Sequence, residues 1–468
     1  MLKFVPLRPS ALACLALISP FSPAALSAPA VAQASAGSLS ELRQQIEEMR
    51  QQYEGRLRAM EERLSAAERE AQQATAQTQP RAADAAEPST APAANAFNPQ
   101  VSLILSGTYA NLRQDPGTWK ISGFAPGGEI GPGQRGFTLG ESELGLYANI
   151  DPWFYGGLNL SVSPDNEVSA EEAFIQTTAL PHGLRLKVGR FFSGIGYLNE
   201  QHAHTWDFVD NPLAYQAFLG TQLGQEGAQL KWLLPTDHFI ELGAEVGNGS
   251  HFPGSARNSN GAGSSALFAH TGGDWGDSSN WRAGVSYLWT QAKDRTGDDT
   301  DLNGQTVANA FTGHSRLWVL DGVWKWAPNG NATSTNFKLQ GEYFRRTEKG
   351  VLSYDVDSVS AGLNTDAYRS AQSGWYLQGI YQFMPAWRVG LRHDQLDTGT
   401  TDYASNDANL AQPGFKPQRS SVMLDWSLSE FSRWRVQLSK DQARQDRNDT
   451  QFFLQYQMSL GAHGAHGY

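Results

Sequence analysis

Strict alternation of apolar and polar residues most limits what this chain can fold into. It begins near Asn98 and recurs to the C-terminus. Leu144, Leu146, Ala148 and Ile150 alternate with Glu143, Gly145, Tyr147 and Asn149. Trp281, Ala283, Val285, Tyr287 and Trp289 alternate with Arg282, Gly284 and Ser286. The pattern repeats in Phe337, Leu339, Gly341 and Tyr343, and in Phe452, Leu454, Tyr456, Met458 and Leu460. A period of two gives strands with one apolar and one polar face. The outward face of a soluble sandwich is charged, whereas the more apolar face here carries almost no charge through the strand centres. Beyond the first ~30 residues no apolar run reaches the roughly 18 that a membrane helix needs. A weak mean hydropathy of −0.44 fits a transmembrane β-barrel, in which only every second residue meets lipid.

The connections alternate as well. Short ones fall at 151–152, 181–183, 235–237, 276–279, 328–331, 384–386 and 429–432. Between them lie mostly long ones, near 113–136, 192–224, 247–265, 292–313, 348–372 and 395–417, with two brief ones at 163–167 and 441–448. Short turns at one end and long loops at the other are the asymmetry of outer-membrane barrels. The count predicts 16 antiparallel strands over 97–468. Trp153, Phe154, Tyr155, Trp324, Trp326, Trp387 and Trp434 sit at strand ends, as interfacial girdles require.

Composition removes other classes. With 14 Trp, 15 Tyr and 22 Phe the chain is too rich in apolar rings to be disordered. One cysteine excludes a disulfide scaffold, and a net charge of −11 argues against a nucleic-acid partner. No Gly-x-Ser-x-Gly elbow, His-Glu-x-x-His or phosphate loop occurs, so no catalytic residue and no enzymatic activity are expected.

Residues 1–34 read as a signal peptide: Lys3 and Arg8 precede an apolar stretch, and Ala32-Gln33-Ala34 is a cleavage site. The single cysteine, Cys14, would leave with it, which suits an exported chain. Residues 38–70 read as a coiled coil. Ser38 to Glu41 form a capping box, and Leu39, Leu42, Ile46, Met49 and Tyr53 follow at heptad spacing, resumed by Leu57, Met60 and Leu64 after a stutter. So narrow a stripe pairs with its own copies. Residues 71–96, rich in Ala, Pro and Gln, read as a flexible linker. Tyr468 shares the parity of Phe452, and a terminal aromatic resembles the signal read by the barrel-assembly machinery.

A signal peptide, a coil and a 16-stranded barrel together resemble the trimeric outer-membrane porins, especially the porin O/P family of phosphate-selective channels. The stretch Leu184-Arg-Leu-Lys-Val-Gly-Arg-Phe-Phe-Ser-Gly-Ile-Gly196 is similar to that family's strand entering the third loop, and Val168–Gln176 and Leu454–Gly461 also fit. Residues 199–207 and 461–468 resemble siderophore-porin barrels with an N-terminal coil. The resemblance implies an outer-membrane homotrimer, with the coil in the periplasm and the barrel in lipid. It also implies that the loop at 192–224 folds inward. That loop brings Glu200, Asp207 and Asp210, which would face Arg388, Arg392, Arg433 and Arg435, with Arg185 and Lys187 between. Acid against base sets a transverse field at a pore constriction.

Two metal sites are weighed. His202 and His204 suit zinc or copper through imidazole, if the segment is extended. Asp299, Asp301 and Asn303, with Gly304, match the first half of a calcium loop, although Ala310 stands where the closing Glu belongs. The expected function is passive diffusion of small polar or ionic solutes, weakly selective and mildly favouring cations. The alternatives are a ligand-selective receptor for a metal ion or metal chelate, and a barrel whose coil tethers the envelope.

Overall fold

The computed structural model describes residues 99–461, except 166, 256–259 and 413. The signal peptide, coil, linker and Tyr468 lie outside the described residues. The described residues form one compact unit. Strands β1 (Gln100–Leu112), β2 (136–149), β3 (Phe154–Val162), β4 (Val168–Thr177), β5 (Leu184–Phe192), β6 (Gly224–Leu233), β7 (Phe239–Gly247) and β8 (Ser264–Trp275) make the first half. The second half is β9 (Ser279–Thr300), β10 (Thr306–Trp326), β11 (Asn336–Tyr354), β12 (Asn364–Met384), β13 (Trp387–Asp402), β14 (Gln418–Ser429), β15 (Ser432–Gln442) and β16 (Asp449–Gly461). Strand β2 is broken at Gly140-Glu141, where one extra residue bulges between its pairings to β1.

Each strand pairs antiparallel with its chain neighbour. β1 also pairs with β16, from Ser102 opposite Gly461 to Leu112 opposite Gln451. Among the described residues the sheet is thus a closed barrel of 16 strands with no free edge, as the alternation predicts. An even count places both ends of the described barrel on the short-turn side.

The outward parity matches the sequence. Val285, Leu339, Tyr343 and Leu460 are exposed on the outside. Aromatic pairs band this surface at two levels. Near the short turns Trp387 stacks on Trp426 at 5.6 Å and Trp434 meets Tyr456 at 4.6 Å. Further up, Tyr287 meets Trp318 at 4.7 Å.

Two expected long loops, 292–313 and 348–372, are largely strand. β9 runs 22 residues and β10 21, twice the 9–11 or so that a tilted strand needs to cross lipid. Charge on both faces of 293–301 hides this from the sequence. A second apolar cluster of Val307, Phe311, Leu352, Tyr354, Tyr403 and Leu410 supplies the burial that keeps the tall hairpins paired.

The lumen is not uniformly polar. Leu288, Leu317, Val319, Phe344, Tyr376 and Leu396 point inward and form the largest core cluster with residues of the 193–223 loop.

Candidate functional site in the lumen

The 193–223 loop fills the middle of the barrel because its backbone finds acceptors on successive wall strands. Ser193 Oγ and the Gly194 N–H donate to Glu245 of β7 at 2.6 and 2.8 Å. The Gly196 N–H reaches Ser286 of β9. Tyr197 and Leu198 N–H groups donate to Glu342 of β11 at 3.0 and 3.2 Å. Val209 N–H donates to Gln437 of β15 at 2.8 Å.

Helix α1 (Leu213–Leu219) is buried throughout. Its N-cap, Pro212, has no side chain that accepts, so Asp394 of β13 accepts the Leu213 N–H at 3.0 Å. Gly220, at φ 64°, closes the helix in the left-handed conformation that glycine adopts without strain. Leu213, Phe218 and Leu219 then sit on the inward apolar wall. Phe218 stacks on Phe344 with centroids 5.9 Å apart. The wall is apolar where the helix lands and polar where the loop backbone crosses it.

The acidic loop residues lie directly against basic wall residues. Asp207 contacts Lys338 and lies 3.3 Å from Arg388. Asp210 lies 2.7 Å from both Arg392 and Arg419. Burial pushes the Asp210 carboxyl up, but Arg419 and Arg392 outweigh it and hold it at about 2. Asp207 is lowered likewise, against burial, by Lys338 and Arg388. Glu200 pairs with Lys231 at 2.7 Å and is held at about 2, again against burial. On the wall, Arg388 and Arg435 share Asp425, at 2.5 and 2.7 Å. Arg433 donates to the His204 carbonyl and to Gln457. Lys187 faces Glu172 at 4.0 Å, and Arg185 is exposed on β5, opposite Lys231.

Among the described residues, two of the cavities in the barrel bear on passage. One of about 1080 Å³ near the short turns is lined by Glu200, His202, His204, Arg282, Arg388 and Arg433, among others. The other, about 410 Å³, near the long loops, is lined by Lys120, Arg295, Asp299, Tyr368 and Tyr403, among others.

A third group gathers where the loop passes β2–β4. A bulge sets both Glu171 and Glu172 against Asn159, because the β3–β4 register slips there. His202 Nδ1 lies 3.1 Å from Glu171 Oε2 and 3.4 Å from Glu143 Oε2. His202 Nε2 lies 3.1 Å from Glu172 Oε2. His204 Nδ1 lies 2.8 Å from Glu143 Oε1. Burial lowers the His202 imidazole, but Glu171, Glu172 and Glu143 raise it well above its ordinary value.

The Asp299–Asn303 segment sits elsewhere, at the tip of the β9–β10 hairpin. Asp301 accepts the N–H groups of Asn303 and Gln305, the Tyr354 hydroxyl and the Ser360 hydroxyl. Asp299 accepts the Thr300 N–H, and Asn303 donates to Ser360.

Glu171, Glu342, Asp394, Arg419 and Asp425 were not singled out by the sequence. Parity marks Glu342, Asp394, Arg419 and Asp425 as inward once a register is known. Glu171 is invisible to parity because the bulge turns it.

No known protein family profile matches the chain. Among solved structures, a loop-deletion mutant of OmpT, an outer membrane protein of Vibrio cholerae, superposes with a TM-score of 0.50 at 10% identity, covering 78% of this chain and 99% of that one. An anion-selective porin from Comamonas acidovorans gives 0.46 at 10% identity, over 78% and 99%. The first likeness shows the fold: a barrel of the outer-membrane protein type. A protein of Aquifex aeolicus described as uncharacterized is 30% identical over 406 aligned residues, which cover 79% of this chain and 80% of that protein. This chain belongs to the same family as that Aquifex aeolicus protein.

Proposed function

We propose that this protein is an outer-membrane channel through which small polar or ionic solutes diffuse passively. One observation carries the reading: a closed 16-stranded barrel with an apolar, aromatic-banded exterior has its 193–223 loop folded inside and tied to the wall. An apolar exterior belongs in lipid. An inward loop narrows the passage between the two cavities and makes the side chains at its edges the ones a solute meets. The short turns then face the periplasm, with the tall hairpins outside the cell.

The trimer follows from the heptads of 38–70 and from the porin resemblance, whose finer form is the porin O/P family. Selectivity is weak, because Asp207, Asp210, Arg388 and Arg392 spend their charge on one another. A receptor for a metal chelate would bind its ligand with saturation. Planar-bilayer recording tests the reading. We expect ohmic, non-saturating conductance with a small reversal potential in a salt gradient. A protein that inserts but does not conduct would overturn it.

A further inference from the structure

The His202 cluster has a geometry that loop anchoring does not explain. Four polar groups surround one point: Glu143 Oε2 from β2, the Asn159 amide from β3, Glu171 Oε2 from β4 and His202 Nδ1 from the loop. His202 Nδ1 to the two carboxylate oxygens measures 3.1 and 3.4 Å. The Asn159 amide nitrogen stands 3.0 Å from His202 Nδ1, 3.1 Å from Glu143 Oε2 and 3.3 Å from Glu171 Oε2. The ligand atoms of Glu143, Glu171 and His202 all fall within 4.8 Å of one another. Zinc ligands at roughly 2.0–2.2 Å in a tetrahedron are separated by about 3.3–3.6 Å. The five separations of 3.0–3.4 Å that involve His202 and Asn159 fall near the edge length of such a tetrahedron.

The second ring nitrogen matters as much. His202 Nε2 faces Glu172 Oε2 at 3.1 Å. A cation entering here takes the place of the proton on Nδ1, between the Glu171 and Glu143 oxygens, while the Nε2 proton stays donated to Glu172. A carboxylate behind a ligating imidazole fixes the tautomer and raises ligand basicity. Glu143 is held in turn by His204 through its other oxygen, at 2.8 Å. The Asn159 amide has two hydrogens for three neighbours. Rotated by half a turn, it offers Oδ1 in the same place, since either orientation fits one amide outline. The site borders the larger cavity, whose lining includes His202 and His204, so an ion has a route to it.

We propose that Glu143, Glu171 and His202, completed by Asn159, form a binding site for a single zinc-like divalent cation on the lumen wall, with Glu172 and His204 supporting its ligands. Imidazole with carboxylates selects first-row divalent ions over calcium and magnesium, which take oxygen alone. The site goes beyond the channel reading, and it stands whether or not the barrel conducts. A bound cation would cross-link the loop to three consecutive strands.

The test is isothermal titration of Zn²⁺ into the folded full-length protein in detergent at neutral pH. It is run in a His463→Ala/His466→Ala background so that the terminal imidazoles do not contribute. We expect one Zn²⁺ per chain. His202→Ala and, separately, Glu171→Gln should each weaken it at least tenfold, whereas Glu200→Gln, aimed at Lys231, should leave it unchanged. Folding of each variant is checked by heat-modifiable gel mobility. X-ray absorption of the zinc-loaded protein should show only nitrogen and oxygen ligands near 2.0 Å, with imidazole scattering. Lack of saturable Zn²⁺ binding, or binding that survives both substitutions, would overturn the site. Loss of conductance with intact zinc binding would count against the channel alone.

Discussion

The carboxylate of Glu342, on the inner wall of β11, accepts the hydroxyl hydrogen bond of Tyr215, on the loop helix, at 2.9 Å. The same carboxylate accepts the backbone of Tyr197 and Leu198 and the hydroxyl of Tyr376. One wall side chain thus ties the descending limb of the loop to its helix. Every group involved is buried, so water does not replace what is removed.

Tyr215→Phe should therefore destabilise the folded barrel by about 1–3 kcal/mol, the usual cost of leaving a buried acceptor without its donor. Glu342→Gln should cost more, because it alters four contacts at once. Thermal midpoints from heat-modifiable mobility check both. Midpoints equal to wild type would mean that the loop is held elsewhere.

Asp210 is the second latch. It lies between Arg392 and Arg419, both fully buried. Arg419→Ala leaves Asp210 with one cation and should cost about 3–5 kcal/mol, as broken buried pairs do. The pH dependence has a definite sign. A carboxyl held at about 2, below its ordinary 3.8, contributes stability that is complete above about 4 and is lost as pH falls towards 2. Glu200 follows the same course. The share of loop anchoring that Asp210 supplies should stay constant down to about pH 4, and below that the conductance should change as this latch loosens. Asp210→Asn should remove much of that acid step.

Deleting 199–210 should raise single-channel conductance. The segment carries His202, His204, Asp207 and Asp210, and its contacts reach from β2 to β16. An unchanged conductance would show that solutes pass by another path.

Much of this architecture was legible from alternation alone. Val285, Leu339 and Leu460 face outward as their parity requires, and six of the seven short connections turn at Pro, Gly or Asp. The unseen parts share one cause, namely burial that depends on a partner far along the chain. Phe344 and Leu288 occupy inward positions that read as lumen, and only the arrival of Leu213–Leu219 makes an apolar residue favourable there. The tall β9–β12 hairpins looked like loops because their charged residues break the alternation, while Phe311 and Tyr354 meet only after pairing. Glu171 is turned inward by a bulge, a one-residue slip that no parity count detects. Of the candidate site, the acids and arginines were legible as types. Their pairing was not, since Asp210 and Arg419 are held together by the path of the whole loop.

Residues 97–468 carry more acids than bases, but many acids lie on the tall hairpins, where salt screens them over roughly 8 Å. At the loop the charges are paired, so the wild-type channel should be weakly selective, mildly favouring cations. Removing one sign releases the other. Asp207→Asn with Asp210→Asn takes two carboxylates away from Lys338, Arg388, Arg392 and Arg419, and the reversal potential should move towards anions. Arg388→Ala with Arg392→Ala leaves Asp207, Asp210, Asp394 and Asp425 short of cations, and the potential should move the other way. Shifts of opposite sign require that solutes pass beside these pairs. If both double variants keep the wild-type potential while folding normally, the pairs serve only to fasten the loop and the conducting path lies along another part of the wall. Strong anion selectivity in the unmodified protein, with block by phosphate, would instead mean that the phosphate-channel resemblance is the better guide to what passes.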